Sequence, residues 1–401
     1  MMKKSLLSVC ILVICGAVSG QQSVDFILKA KALESAGKSD QAVKVLTDAI
    51  TLSNDSRLFV ERAEISISGK AYSNAIGDLN AANKITPYSG EYGLSRIYAL
   101  KGDAATSLYH LELSMKSSYR KSEKYIMLDP AFRTIENRPE WRQFWKKEWY
   151  SFTEKSISEI EYYVSTGMME DSKAILSDLK KNYQNSDDIA YAEALINVSS
   201  GKYDDAIKTV SGLIVSSPDN EKYLRLLARA QSLKGNAAGA SDTYTQLLSS
   251  GVADAGILIL RAECYRKTGE NDKALKDLEK YLDLYPENKN GLSLAGKTEA
   301  VSGDNLKALD YFSRNLKLHP DDPECYVDRA NSYFVSRSWD WAIKDYSMSL
   351  DLSPSNSDAW LNKGIALLNS NRLEDACHDL RRALNLGNKR ASDYISSNCI
   401  K

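Results

Sequence analysis

An alanine recurs every 34 residues through the second half of this 401-residue chain, at Ala206, Ala240, Ala274, Ala308, Ala342 and Ala376. With alanine at about one position in ten, five further matches in register arise by chance about once in a hundred thousand. Other columns keep the same spacing. Small residues stand at Ala194, Ala228, Ala262, Gly296, Ala330 and Gly364, and glycines at Gly167, Gly201, Gly235, Gly269 and Gly303. A bulky residue follows each alanine by four positions, as Val210, Tyr244, Leu278, Phe312, Tyr346 and Leu380, one helical turn along on the same face. Prolines close several units at Pro218, Pro286, Pro320 and Pro354.

These columns predict two short helices per unit. Glycine supplies the left-handed residue that ends the first helix, and proline stops the second. Small residues let the paired helices approach, and bulky ones fill the groove between neighbours. A lone unit cannot bury its apolar face, so the units must stack.

The columns, seen most fully in Gly201-Lys-Tyr-Asp-Asp-Ala206 and Gly269-Glu-Asn-Asp-Lys-Ala274, resemble the tetratricopeptide-repeat family. The resemblance implies an all-α fold: a right-handed α-solenoid of about ten helix-turn-helix units with a C-terminal capping helix. Weaker copies come earlier, at Gly37-Lys-Ser-Asp-Gln-Ala42, Tyr72-Ser-Asn-Ala75 and Gly102-Asp103. The expected organisation is a signal peptide over 1–20, about three units over 21–115, an aromatic elbow over 116–152, about seven units over 153–388, and a capping helix over 389–401. Within the elbow, Trp141, Trp145 and Trp149 recur every four residues and give one aromatic stripe. Such a stripe either packs as core against the flanking repeats or stays exposed as a platform for a glycan or a protein.

The start, Met1-Met2-Lys3-Lys4 followed by an apolar run from Leu6 to Val18 and then Ser19-Gly20, has the three parts of a secretory signal peptide. Cleavage is expected near Gly20, leaving a periplasmic, soluble chain, since the run is too short to span a membrane directly. Cys10 follows Val9 and Cys15 follows Ile14, so neither has the small preceding residue that lipidation needs. The two-lysine start resembles that of exported Bacteroidota proteins, and the periplasmic placement rests on that resemblance.

Loss of the leader would leave Cys264, Cys325, Cys377 and Cys399. Cys377 and Cys399 lie equally far from Asn388, in the turn between two helices expected to run antiparallel, so they are the expected disulfide. Cys264 and Cys325 sit two units apart and read as buried, inert thiols.

Charge and motifs narrow the function. The chain has 52 Lys+Arg against 53 Asp+Glu, which leaves no global field to draw in nucleic acid. His110, His319 and His378 fall in separate units without metal-ligand spacing, and phosphate-loop, dinucleotide and nucleophile-elbow motifs do not occur. No catalytic residue, metal or cofactor is expected.

In the family that these repeats resemble, the first helix of each unit lines the concave surface, which implies a protein or peptide partner, here one of the cell envelope. On that face stand Lys222, Arg225 and Arg229, then Arg266 and Lys267, a candidate basic patch unless neighbouring acids balance it. Further along come Val327, Phe334, Leu361 and Leu368, which read either as an apolar groove or as the seat of the tail helix.

Overall fold

The computed structural model describes residues 20, 22–183 and 186–399. Apart from Gly20, the expected signal peptide lies outside the described residues. The described chain is all-helical and divides by its internal contacts into two compact units, Met1–Ile257 and Leu258–Lys401.

Three helical hairpins open the first unit. They pair a helix at 22–35 with Ser39–Leu52, Ser56–Ser68 with Tyr72–Ile85, and Glu91–Leu100 with Ala104–Met115. Two short helices, Glu123–Leu128 and Pro139–Phe144, follow on either side of a tight turn at Pro130–Thr134. Three more hairpins complete the unit: Phe152–Thr166 with Met169–Asn182, Asp187–Ser199 with Tyr203–Ser216, and Glu221–Lys234 with Ala237–Ser249.

The second unit starts within the helix Gly256–Thr268, which pairs with Asn271–Leu284. Lys289–Ser302 then pairs with Asn305–Leu318, Pro323–Val335 with Trp339–Leu352, and Ser357–Asn369 with Leu373–Asn385, before the terminal helix Ala391–Asn398. The described residues therefore hold ten hairpins, in line with the roughly ten units that the family resemblance implies.

Each sequence column has a physical counterpart. The six alanines at 34-residue spacing are wholly buried, as are Val210, Leu278, Tyr346 and Leu380 from the bulky column. Gly167, Gly201, Gly235, Gly269 and Gly303 all adopt left-handed φ, from 77° to 92°, and turn one helix into the next. Arg337 and Asn371 continue that column with φ of 57° and 59°, so the turn is made there without glycine.

Two further columns hold the hairpins. Asn220, Asn288, Asp322 and Asn356 each cap a first helix by accepting from its backbone N–H groups, and Asp254 accepts from Gly256 in the same way at 2.9 Å. Within single hairpins, Arg62 pairs with Asp78, Arg261 with Asp277, Arg329 with Asp345 and Lys363 with Asp379. Each pair spans sixteen positions, from the first helix to the second, and all four aspartates are buried. The arginines bind through two nitrogens each, a geometry that satisfies a buried carboxylate.

The C-terminal end is sealed by its own tail. Leu361, Ile365, Leu380, Ala383 and Ala391 form one buried cluster, with Phe334, Leu368, Tyr394 and Ile395 packed on it. Cys377 and Cys399 are joined as a disulfide with Cα atoms 5.6 Å apart, tying the tail helix to the last hairpin. Cys264 and Cys325 are buried free thiols, and burial pushes the Cys325 thiol up to about 11.

Candidate protein-binding face of the first unit

The first unit returns on itself. Arg57, at the start of the Ser56–Ser68 helix, donates to the carbonyl of Gly251 at 3.0 Å, and Lys31 reaches the carbonyl of Ala253 at 3.5 Å. Ala253 also packs against the N-terminal apolar cluster that contains Ile27 and Leu46. The partners lie 194 and 222 positions apart in sequence.

This closure borders a hollow of about 790 Å³, lined mainly by first helices of the repeats. Lys31, Glu61 and Glu64 come from the first two hairpins, Tyr92 and Arg96 from the third, and Glu221 and Arg225 from the sixth. Its charges are interlocked. Arg96 pairs with Glu64 and with Asp129 at 2.9 Å, and Tyr92 donates to the same Asp129 at 2.8 Å. Burial, aided by that bond, holds the Tyr92 phenol far above its ordinary range, so it remains a proton donor. Burial likewise raises Glu61, although Lys31 stands 3.7 Å away.

The candidate basic patch is charge-compensated at two of its residues. Arg225 pairs with Glu221 at 2.7 Å and with Asp254 at 2.9 Å, and only it reaches the hollow. Lys222 pairs with Glu161 at 2.8 Å and lies 4.0 Å from the centre of the Tyr191 ring. Arg229 is exposed on the same helix. Arg266 and Lys267 belong to the second unit. Arg266 is half-buried and burial lowers its pKa, whereas Lys267 is exposed. Acids therefore pair with Lys222 and Arg225 on this face.

The apolar candidates face inward. Leu361 is 0 % exposed, while Phe334 and Leu368 pack with it beneath the tail helix. Val327 packs on the neighbouring cluster of Ala330, Tyr346 and Ala359. Leu361, Phe334 and Leu368 thus form the seat of the tail, while Val327 belongs to the neighbouring hairpin contact.

The tryptophan stripe is core as well. Trp141 is 6 % exposed and joins Tyr92, Leu111, Phe132, Phe144 and Tyr150 in one cluster, with Trp145 and Trp149 packed on its margin. Trp149 donates to the Phe144 carbonyl at 2.9 Å, and the Phe144 and Trp149 rings stack at 4.6 Å. What the elbow exposes instead is the short helix before the stripe, where Tyr125, Met127 and Leu128 are 56 %, 49 % and 68 % exposed. Period alone did not mark these residues, because a six-residue helix is too short to show one.

Family comparison agrees with the repeat architecture of the second unit. Residues 258–288 and 327–393 match models described as tetratricopeptide repeat. A tetratricopeptide repeat protein from Parabacteroides merdae is similar in structure, at 19% identity over 62% of this chain and 99% of that one, with a TM-score of 0.49. The C-terminal part of a repeat protein from Cytophaga hutchinsonii gives 16%, 59%, 98% and 0.49 for the same quantities. YrrB, described as having an unusual peptide-binding site, gives 17%, 47%, 97% and 0.38. No curated protein matches the sequence significantly. Among the described residues, no helix is long and apolar enough to cross a membrane.

Proposed function

Because this chain is a tetratricopeptide-repeat protein, we propose that it is a non-enzymatic scaffold holding a protein or peptide segment on the inner face of its first unit. The observation that carries this reading is the hollow of about 790 Å³ lined by first helices of the first, second, third and sixth hairpins. Tyrosine rings and alternating charges suit an extended segment that offers both backbone polar groups and side chains. Interlocked ion pairs keep the wall rigid, which lowers the entropy lost on binding. The leader-like sequence at the N-terminus supports a role in the periplasm, with a partner from the cell envelope.

Affinity capture of envelope proteins with the chain from Gln21 to Lys401, beside an Arg225→Glu, Arg229→Glu variant, tests the reading. A partner held by the first and lost by the second supports it and places the contact on this face. Equal capture by both moves the contact elsewhere on the scaffold. Capture of nothing under gentle crosslinking removes the reading.

A further inference from the structure

Two smaller hollows flank the exposed Glu123–Leu128 helix. One, of about 470 Å³, is lined by Arg96, Lys124, Tyr125 and Leu128; the other, of about 340 Å³, by Lys124, Met127, Glu154 and Lys155. They meet at Lys124, and the first shares Tyr125 and Arg96 with the large inner hollow.

The charges around this helix do not cancel. Asp129 is engaged by Arg96 and Tyr92, and Glu154 by Arg120 and by its own helix cap. Of the lining carboxylates, Glu123 alone among the described residues lacks a cation within ion-pair reach. Against it stand Lys121, Lys124 and Lys155, none of which has a carboxylate partner. Lys121 lies over the Tyr125 ring at 5.5 Å and over Tyr92 at 6.0 Å, and Lys124 over Tyr162 at 5.0 Å. Aromatic faces hold the ammonium groups in place while leaving their charge open to an anion.

We propose that these hollows form a docking site for an acidic protein segment with an apolar or aromatic anchor. Its carboxylates would meet Lys121, Lys124 and Lys155, and its anchor would pack against Tyr125, Met127 and Leu128. Two arguments select this occupant. The uncompensated charge is positive, so an acidic partner complements it. The exposed apolar side chains border concave space instead of a flat face, which favours a side-chain anchor over a lipid surface. The inference deepens the scaffold reading and rests on it, since it names the chemistry of the segment that the first unit holds.

Fluorescence anisotropy with the purified chain and three labelled peptides tests this. The probes are acetyl-Glu-Phe-Glu-Leu-Glu-Glu-amide, the same peptide with every Glu changed to Lys, and the same peptide with Phe and Leu changed to Ser. The first should bind about tenfold more tightly than either of the others, and should weaken as salt rises. Lys124→Glu with Lys155→Glu should cost about tenfold, and Tyr125→Ser, tested separately, should also weaken it; all three positions are at the surface, and circular dichroism should show an intact fold.

Equal binding of the acidic and basic peptides would overturn the proposal. So would acidic-peptide binding that ignores both variants, although the scaffold reading would survive if Arg225→Glu, Arg229→Glu still lost the captured partner. If anionic phosphatidylglycerol vesicles bound as tightly as the peptide and responded to the same variants, the site would be a membrane contact and the proposal would fall.

Discussion

Phe312 fills the space that a side chain at Gly296 would need: a Cβ there would lie 2.5 Å from the ring. The two residues stand sixteen positions apart, one in each helix of a hairpin, and Gly364 meets Leu380 in the same way at 2.8 Å. The small and bulky columns are thus two halves of a single contact.

Gly296→Ala should therefore lower stability by about 1–3 kcal/mol through overpacking, despite alanine's better helix propensity. Gly212→Ala, in open space on the Tyr203–Ser216 helix, should instead raise it by about 0.5–1 kcal/mol. Urea unfolding of the two variants checks the opposite signs. A Gly296→Ala protein as stable as the parent would show that the hairpin relaxes around the added methyl group.

Arg337 holds a left-handed φ of 57° where five earlier repeats have glycine. Arg337→Gly should stabilise by about 0.5–1 kcal/mol, because relief of backbone strain exceeds the entropy that glycine adds to the unfolded chain. Gly269→Ala, at φ 81°, should cost about 1 kcal/mol. Thermal melts of both variants decide this, and an Arg337→Gly melt below the parent's would show that the arginine makes compensating contacts.

Burial raises the pKa of Glu61 above its ordinary 4.5. A carboxyl that binds its proton more tightly when folded imposes no cost at a pH below its unfolded value. The cost appears as pH rises through the raised folded value and persists above it. Glu61→Gln should accordingly raise the melting temperature at neutral pH and change it little near pH 4. Equal shifts at both values would mean that ionisation is not the cause.

The tail disulfide predicts a peptide map in which Cys377 and Cys399 are linked under non-reducing conditions. Cys399→Ser should destabilise the last hairpin by about 2–4 kcal/mol and speed amide exchange across Ala391–Asn398. In the native chain from Gln21, Cys264 and Cys325 should resist alkylation at pH 8, since both are buried and the Cys325 thiol is pushed up to about 11. Unfolding without reductant should release two reactive thiols, and four would show that the disulfide does not form.

The hairpin fold was legible because stacking repeats the same contact and so writes the same letters every 34 residues. Ala206 and its successors mark close approach, and glycines such as Gly201 mark the turn. The cap column of Asn220, Asp254, Asn288, Asp322 and Asn356 was equally periodic, but Asn and Asp alternate in it, and only the shared role of accepting from helix N–H groups unites them. The Arg–Asp pairs were hidden differently. Arg261, Arg329 and Lys363 share a column in which Leu227 and Ala295 interrupt the pattern.

The binding face was less legible. Arg225 was correctly placed on a first helix, yet its compensation by Asp254 depends on a turn 29 positions away in sequence. Trp141 reads first as core and second as a surface platform, and period does not decide, because an aromatic stripe has the same period in either setting. Its burial comes with Phe132, whose ring lies 5.2 Å away and is placed by the turn at Pro130–Thr134.

The reach of Lys31 and Arg57 to the turn at 250–254 changes how the first unit should come apart. An open stack of repeats frays from its terminal helix inward, since that helix has one neighbour instead of two. Here the helix at 22–35 is also held by residues more than two hundred positions downstream. Its lifetime against solvent exchange therefore depends on the sixth hairpin, and a lesion there would loosen the beginning of the chain.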